Sequence, residues 1–182
     1  MMRWQVVVLG VVVLAWAHAG GAAPSVSPYA GQESRPIKAL SPDEVEAYLS
    51  GSGMGLAKAA ELNRYPGPRH VLDLADQLAL STEQREKTTR LFEAMRADAT
   101  RLGAEIVARE RELDARFAAG RISSAELDRL VAELGTLQGR LRGTHLRAHL
   151  VQREILTPAQ RHQYGALRGY DAGTPAPPHR GH

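Results

Sequence analysis

Apolar positions in this chain fall into two long stretches of helical spacing. From Thr82 to Ala119, Leu91, Met95, Leu102, Ile106, Leu113 and Phe117 recur at steps of four and seven among dense Arg and Glu. Such a stripe lies along one face of an amphipathic helix, which at about 1.5 Å per residue would be roughly 55 Å long. A second stripe carries Leu127, Leu130, Leu134, Leu137 and Leu141 and continues through Ala148 and Ile155. Between them, in "AAGRISSAE", Gly120 suits a left-handed helix end, and Ser123 with Glu126 forms a capping box that starts the return. The pattern predicts an all-α chain built on a long antiparallel hairpin over about residues 82–155. Gly103, Gly135, Gly139 and Gly143 lie inside these helices, each at a cost of about 1 kcal/mol relative to Ala. They serve close packing or curvature, or are merely tolerated.

Shorter elements precede the hairpin. "SPDEVEAYLS" starts a helix with Ser41 as cap, Pro42 at the first position and Glu44 closing a capping box. "GSGMG" stops it. No strand precedes these glycines and no Lys-Ser/Thr follows them, so they do not form a phosphate loop. A short helix around Gly55 to Asn63 leads into the turn "RYPGPRH". Val71, Leu72, Ala75, Leu78 and Ala79 then trace one helical face, with Asp73, Asp76 and Gln77 on the other. These features divide the chain into an exposed leader at 20–40, a helical domain at 41–170 and a disordered tail at 171–182.

Two helix starts share a motif. In "LSTEQ", Ser81 is the cap and Gln84 reaches back to it; in "LTPAQ", Thr157 and Gln160 take the same roles, with Pro158 at the first helical position. Leu80 and Leu156, just before the caps, pin each bend to the core. One motif opens the hairpin and the other opens the terminal helix, 76 positions further on.

The repeated L-[ST]-x-x-Q, with the Arg/Glu-rich hairpin between, resembles the LTxxQ family of bacterial periplasmic stress proteins, the Spy, CpxP and ZraP type. The similarity covers roughly residues 68–170. It departs mildly in the first motif, where Ser81 replaces Thr. The segment "GMGLAKAAELNRYPGPRHVLDLADQL" is closer to members labelled periplasmic heavy-metal sensors. The resemblance implies an all-helical fold, commonly a curved antiparallel dimer. Its concave face would hold unfolded clients or contact a membrane sensor.

The N-terminus and the composition agree with export. Arg3 precedes the apolar run "WQVVVLGVVVLAWA", and "AHAG" offers Ala17 and Ala19 to a signal peptidase, so residues 1–19 read as a cleaved signal peptide and the periplasm as the destination. The run of about twelve residues falls short of the about twenty that span a bilayer. The chain has no cysteine, which excludes a lipidated N-terminal Cys, a disulfide and a thiolate metal site. Its formal charge of +3 is spread among alternating signs, which argues against a nucleic-acid partner. Enzyme motifs such as HExxH and G-x-S-x-G are missing from the sequence.

Two groups of residues are candidates for function. His145 and His149, four apart, share a helix flank and could hold zinc or copper. His162 would be a third ligand, and His179 and His182 in the tail could add more. The plainer reading makes His145 a filler at the edge of the seam. The second group is Leu146 and Leu150, which point away from the hairpin seam and are ringed by Arg140, Arg142, Arg147 and Arg153. An apolar patch with a cationic rim suits weak capture of unfolded or misfolded proteins, or the interface of a homodimer. The expected function is therefore an ATP-independent periplasmic chaperone or stress-response binding protein. The alternative is a metal-responsive regulator acting on a membrane sensor kinase.

Overall fold

A computed structural model of the chain describes residues 26–170. The signal peptide expected at 1–19 and the tail with His179 and His182 lie outside the described residues. Residues 26–33 form turns closed by main-chain hydrogen bonds from Ala30 to Ser27 and from Gln32 to Tyr29. From Ser34 onward the described chain is all-α, in the order α1 (Pro42–Ser50), α2 (Lys58–Glu61), α3 (Pro68–Asp73), α4 (Thr82–Ala118), α5 (Ser124–Ile155) and α6 (Pro158–Leu167).

The helix starts are where local chemistry puts them. Ser41, Ser81, Ser123 and Thr157 each accept a hydrogen bond from the main-chain N–H three residues on, and the side chain of that third residue returns to the cap N–H. Each box satisfies two N–H groups that a helix start otherwise leaves without partners. Gly51 ends α1 with φ of 69°, a left-handed turn that glycine takes without strain.

Helices α4 and α5 pack as an antiparallel pair, with their register visible in the cross-links. Near the turn, Arg116 meets Glu126 and Arg129 meets Glu112; further along, Arg109 meets Glu133. At the far end Gln152 donates to Thr88 Oγ1 at 3.2 Å. The seam itself is filled by Ala99, Leu102, Ile106, Leu134, Leu137 and Leu141. Helix α1 crosses α4 so closely that a Cβ at Gly103 would lie 2.1 Å from the Tyr48 carbonyl oxygen. This glycine is required for packing, whereas Gly135 and Gly139 face open space. Val71, Ala75, Leu78, Leu80, Leu156 and Tyr164 make a second core, beneath α6.

Several expectations need correction. The packed body starts before residue 41: Ile37 and Leu40, expected in the exposed leader, are buried against Val107. Phe117 is 56% exposed, since the α4 stripe runs off the seam near the turn; Thr88, Ala99 and Val107 are buried instead. Helix α3 stops at Asp73, and turns carry the rest of its expected apolar face. Ala79 takes φ of 48° and is exposed.

Candidate functional site

The two motifs face each other across the end of the hairpin. Gln84 Nε2 donates to Gln160 Oε1 at 2.8 Å, and Gln160 Nε2 donates to Gln84 Oε1 at 3.0 Å. Each amide nitrogen also donates to a main-chain carbonyl of the opposite bend, Gln84 to Ile155 and Gln160 to Leu78. Each amide oxygen accepts from its own cap N–H, that of Ser81 or Thr157. A glutamate could cap the helix equally well but would have no hydrogen to donate across. The motif therefore needs Gln, and needs it twice, because each copy supplies half of one amide pair. Leu80 and Leu156 are buried in the core directly beneath.

Next to this clasp the α4–α5 seam turns polar. His145, His149 and Gln152 continue the buried stripe of α5 where leucines would be expected. His145 is 4% exposed and its Nε2 has no hydrogen-bond partner. Burial, then the neighbouring His149, pushes its pKa below that of an ordinary histidine, which keeps the ring neutral with a lone pair on one nitrogen. His149 Nδ1 lies 2.7 Å from the Tyr65 carbonyl oxygen. A carbonyl only accepts, so Nδ1 carries a proton, and in the neutral ring the lone pair is on Nε2. A Cβ at position 67 would come within 3.1 Å of that nitrogen, which accounts for glycine there.

Glu61 closes the site from the end of α2. Its Oε1 accepts from Tyr164 at 2.6 Å and Tyr170 at 2.9 Å and lies 3.4 Å from Arg168 Nε. Its Oε2 lies 3.7 Å from His149 Nδ1 and has no hydrogen-bond partner. Burial and then the bond to Glu61 raise the Tyr164 pKa well above the usual phenol value. Both histidines and Glu61 open onto a cleft of about 550 Å³, lined also by the Ser50–Gly55 loop and by His70, Phe92 and Met95.

The sequence model of the heavy-metal resistance family matches residues 55–163, well over half of the chain. The chain belongs to this family. It includes the LTxxQ periplasmic proteins of the Spy and CpxP type and is not an enzyme family. No curated protein and no solved structure matches the chain. Both motifs, Glu61, His145 and His149 all fall inside the family span.

Within this member of the family, the residues expected to act together separate. His145 and His149 share the cleft, but His162 is exposed on α6 and does not line it. Among the described residues no three or more His, Asp and Glu side chains are grouped to hold a metal ion. On the opposite flank of α5, Leu150 is 54% exposed and Leu146 half-buried, joined by Val151 at 49%, which the sequence reading passed over. Arg140, Arg142 and Arg147 are exposed around them. Arg153 leaves that rim: its guanidinium sits 4.5 Å from the Tyr65 ring centroid and donates to the Tyr65 hydroxyl at 2.9 Å. No helix among the described residues is long and apolar enough to cross a membrane.

Sequence reading missed Glu61 altogether. "KAAELNRYPG" looks like a surface helix running into a turn, and the residues that hold Glu61 lie 103 and 109 positions away. The pair of tyrosines in the terminal segment was the only signal available, and nothing local ties them to an acid.

Proposed function

We propose that this protein is a metal-responsive periplasmic stress protein that works by binding and reports its state to a membrane sensor kinase. The observation that supports it is the pair of uncommitted buried donors, His145 Nε2 and Glu61 Oε2, at the cleft that His149 also lines. Leaving such groups without partners costs about 1–3 kcal/mol each, and a leucine at 145 would continue the stripe without that cost. A ligand that uses the lone pairs gives the polar residues a reason to be there. This order reverses the sequence expectation, in which the chaperone came first. The reversal follows from the cleft and from the loss of Arg153 from the cationic rim.

Calorimetric titration of the purified chain with zinc and copper tests the reading. The parent binds metal, His145→Ala with His149→Ala abolishes binding, and His162→Ala leaves it unchanged. A double variant that binds as tightly as the parent refutes the site.

The uncovered α5 flank favours a second reading, an ATP-independent chaperone for unfolded or misfolded periplasmic proteins. Scattered apolar contacts at Leu146, Leu150 and Val151 capture chains without selecting one sequence, and the flanking arginines speed encounter. The same flank serves as the interface of a homodimer, the commonest closed assembly. Light scattering from a chemically unfolded client tests the chaperone: no suppression at several-fold excess of the protein sinks it.

A further inference from the structure

Both methionines among the described residues, Met54 and Met95, line the same cleft, together with three of the four described histidines. Sequence periodicity assigned Met95 to the apolar seam of α4 and gave Met54 no role. Met54 takes φ of 44° between Gly51 and Gly55, whose φ values of 69° and 73° suit glycine. A side chain in that left-handed region is strained, and such strain is kept where the surroundings or a function require it. Met54 is also 40% exposed, so hydrophobic burial does not account for it.

The donors available in the cleft decide what it could hold. Among the described residues no three His, Asp and Glu side chains are grouped to hold a metal ion, so a site here needs donors of another kind, and the Met54 and Met95 thioethers line the same cleft. His145 Nε2 is buried and unpartnered, and His149 Nε2 is freed by the bond from Nδ1 to Tyr65. Two imidazoles and two thioethers form a neutral, soft set that prefers copper(I) to harder ions, and Glu61, the hard carboxylate that also lines the cleft, is held through Oε1 by Tyr164 and Tyr170. Lys58, Arg69 and Arg96 line the cleft against the one acid Glu61, and the net repulsion grows with the charge on the ion, which favours a monovalent over a divalent cation.

We infer that the cleft is a soft-metal site in which the Met54 and Met95 thioethers join His145 and His149 to bind copper(I). The inference rests on the metal-responsive reading, which named zinc and copper, and adds to its histidines two thioether ligands that favour monovalent copper. Silver(I), with the same charge and softness, binds there as a redox-inert surrogate.

The test uses the purified chain under anaerobic conditions, with copper(I) supplied as its coloured bicinchoninate complex and zinc supplied against a competing dye. The chain withdraws copper(I) from the chelator. Met54→Leu with Met95→Leu, shown by circular dichroism to be folded, loses at least tenfold in copper(I) affinity and keeps its zinc affinity. X-ray absorption at the copper edge of the parent shows sulfur scatterers, a measurement that does not depend on any variant folding. Copper bound without sulfur scatterers, or held as tightly by the methionine variant, overturns the soft site but leaves the histidine reading standing. If neither metal binds the parent, both fall.

Discussion

Between Leu102 and Leu141 the α4–α5 seam is packed with leucine, isoleucine and alanine, whereas toward Leu156 the same seam buries Thr88, His145, His149 and Gln152. The two regions share one pair of helices and one heptad-like spacing. They differ in what holds them. The leucine region gains stability from non-directional burial, roughly 25 cal/mol per Å² of apolar surface. The polar region depends on hydrogen bonds that must each find a partner, and Glu61 Oε2, His145 Nε2 and Gln152 Oε1 do not. An unpaired buried group is a cost to folding, so the polar region is less stable than a leucine-filled seam would be.

The largest test of that contrast lies in the leucine region. Leu134→Ala should destabilise by about 3 kcal/mol, from lost transfer energy and the cavity left behind. Urea unfolding that shows less than about 1 kcal/mol would mean that the seam tolerates loose packing. In the polar region the clasp should act as a unit. Gln84→Ala and Gln160→Ala should each cost about 1–2 kcal/mol, and a double-mutant cycle should return a coupling of about 1 kcal/mol. Additive losses would show that the two caps work separately.

A smaller effect, of opposite sign, is expected at His145. His145→Leu should leave stability at neutral pH unchanged or raise it by about 1 kcal/mol, since it removes an unsatisfied group, while metal binding is lost. It should also flatten the pH dependence. An unfolded histidine takes up its proton near pH 6.5, and His145 in the folded protein does so only at lower pH. Between those values the unfolded chain binds more protons, so this stability is fully present above about pH 6.5 and is lost as the pH falls toward the folded value. Denaturation at about pH 7.5 and about pH 5.5 checks the slope, and an equal drop in parent and variant assigns it to other groups.

The smallest expected change is on the exposed flank. Leu146→Glu with Leu150→Glu should alter monomer stability by no more than about 0.5 kcal/mol, yet weaken the proposed homodimer in sedimentation equilibrium. A parent that stays monomeric at tens of micromolar, or a double variant that dimerises unchanged, removes this flank as the interface.

What could be read from the chain followed the range of the interaction. The capping boxes at Ser41, Ser81, Ser123 and Thr157 were legible because they connect residues three apart, and Leu130, Leu134, Leu137 and Leu141 because a helix brings every third or fourth residue to one face. His145 and His149 were found by the same rule, although periodicity could not tell a seam edge from a buried donor. Phe117 fitted the stripe and is nevertheless exposed, because periodicity gives the face of a helix and not where its partner ends.

The sequence by itself determined the two long helices, the capped helix starts and the hairpin reversal at Gly120, all of which rest on local geometry. Only the tertiary structure decided that Gln84 and Gln160 bond to each other, that Glu61 ties α2 to Tyr164 and Tyr170, and that Met54 and Met95 meet His145 and His149 at one cleft. These contacts join positions that are far apart in the chain. They depend on the direction in which each turn sends the next helix, and small changes in a few main-chain angles at Gly51, Gly67 or Ala79 would send it elsewhere.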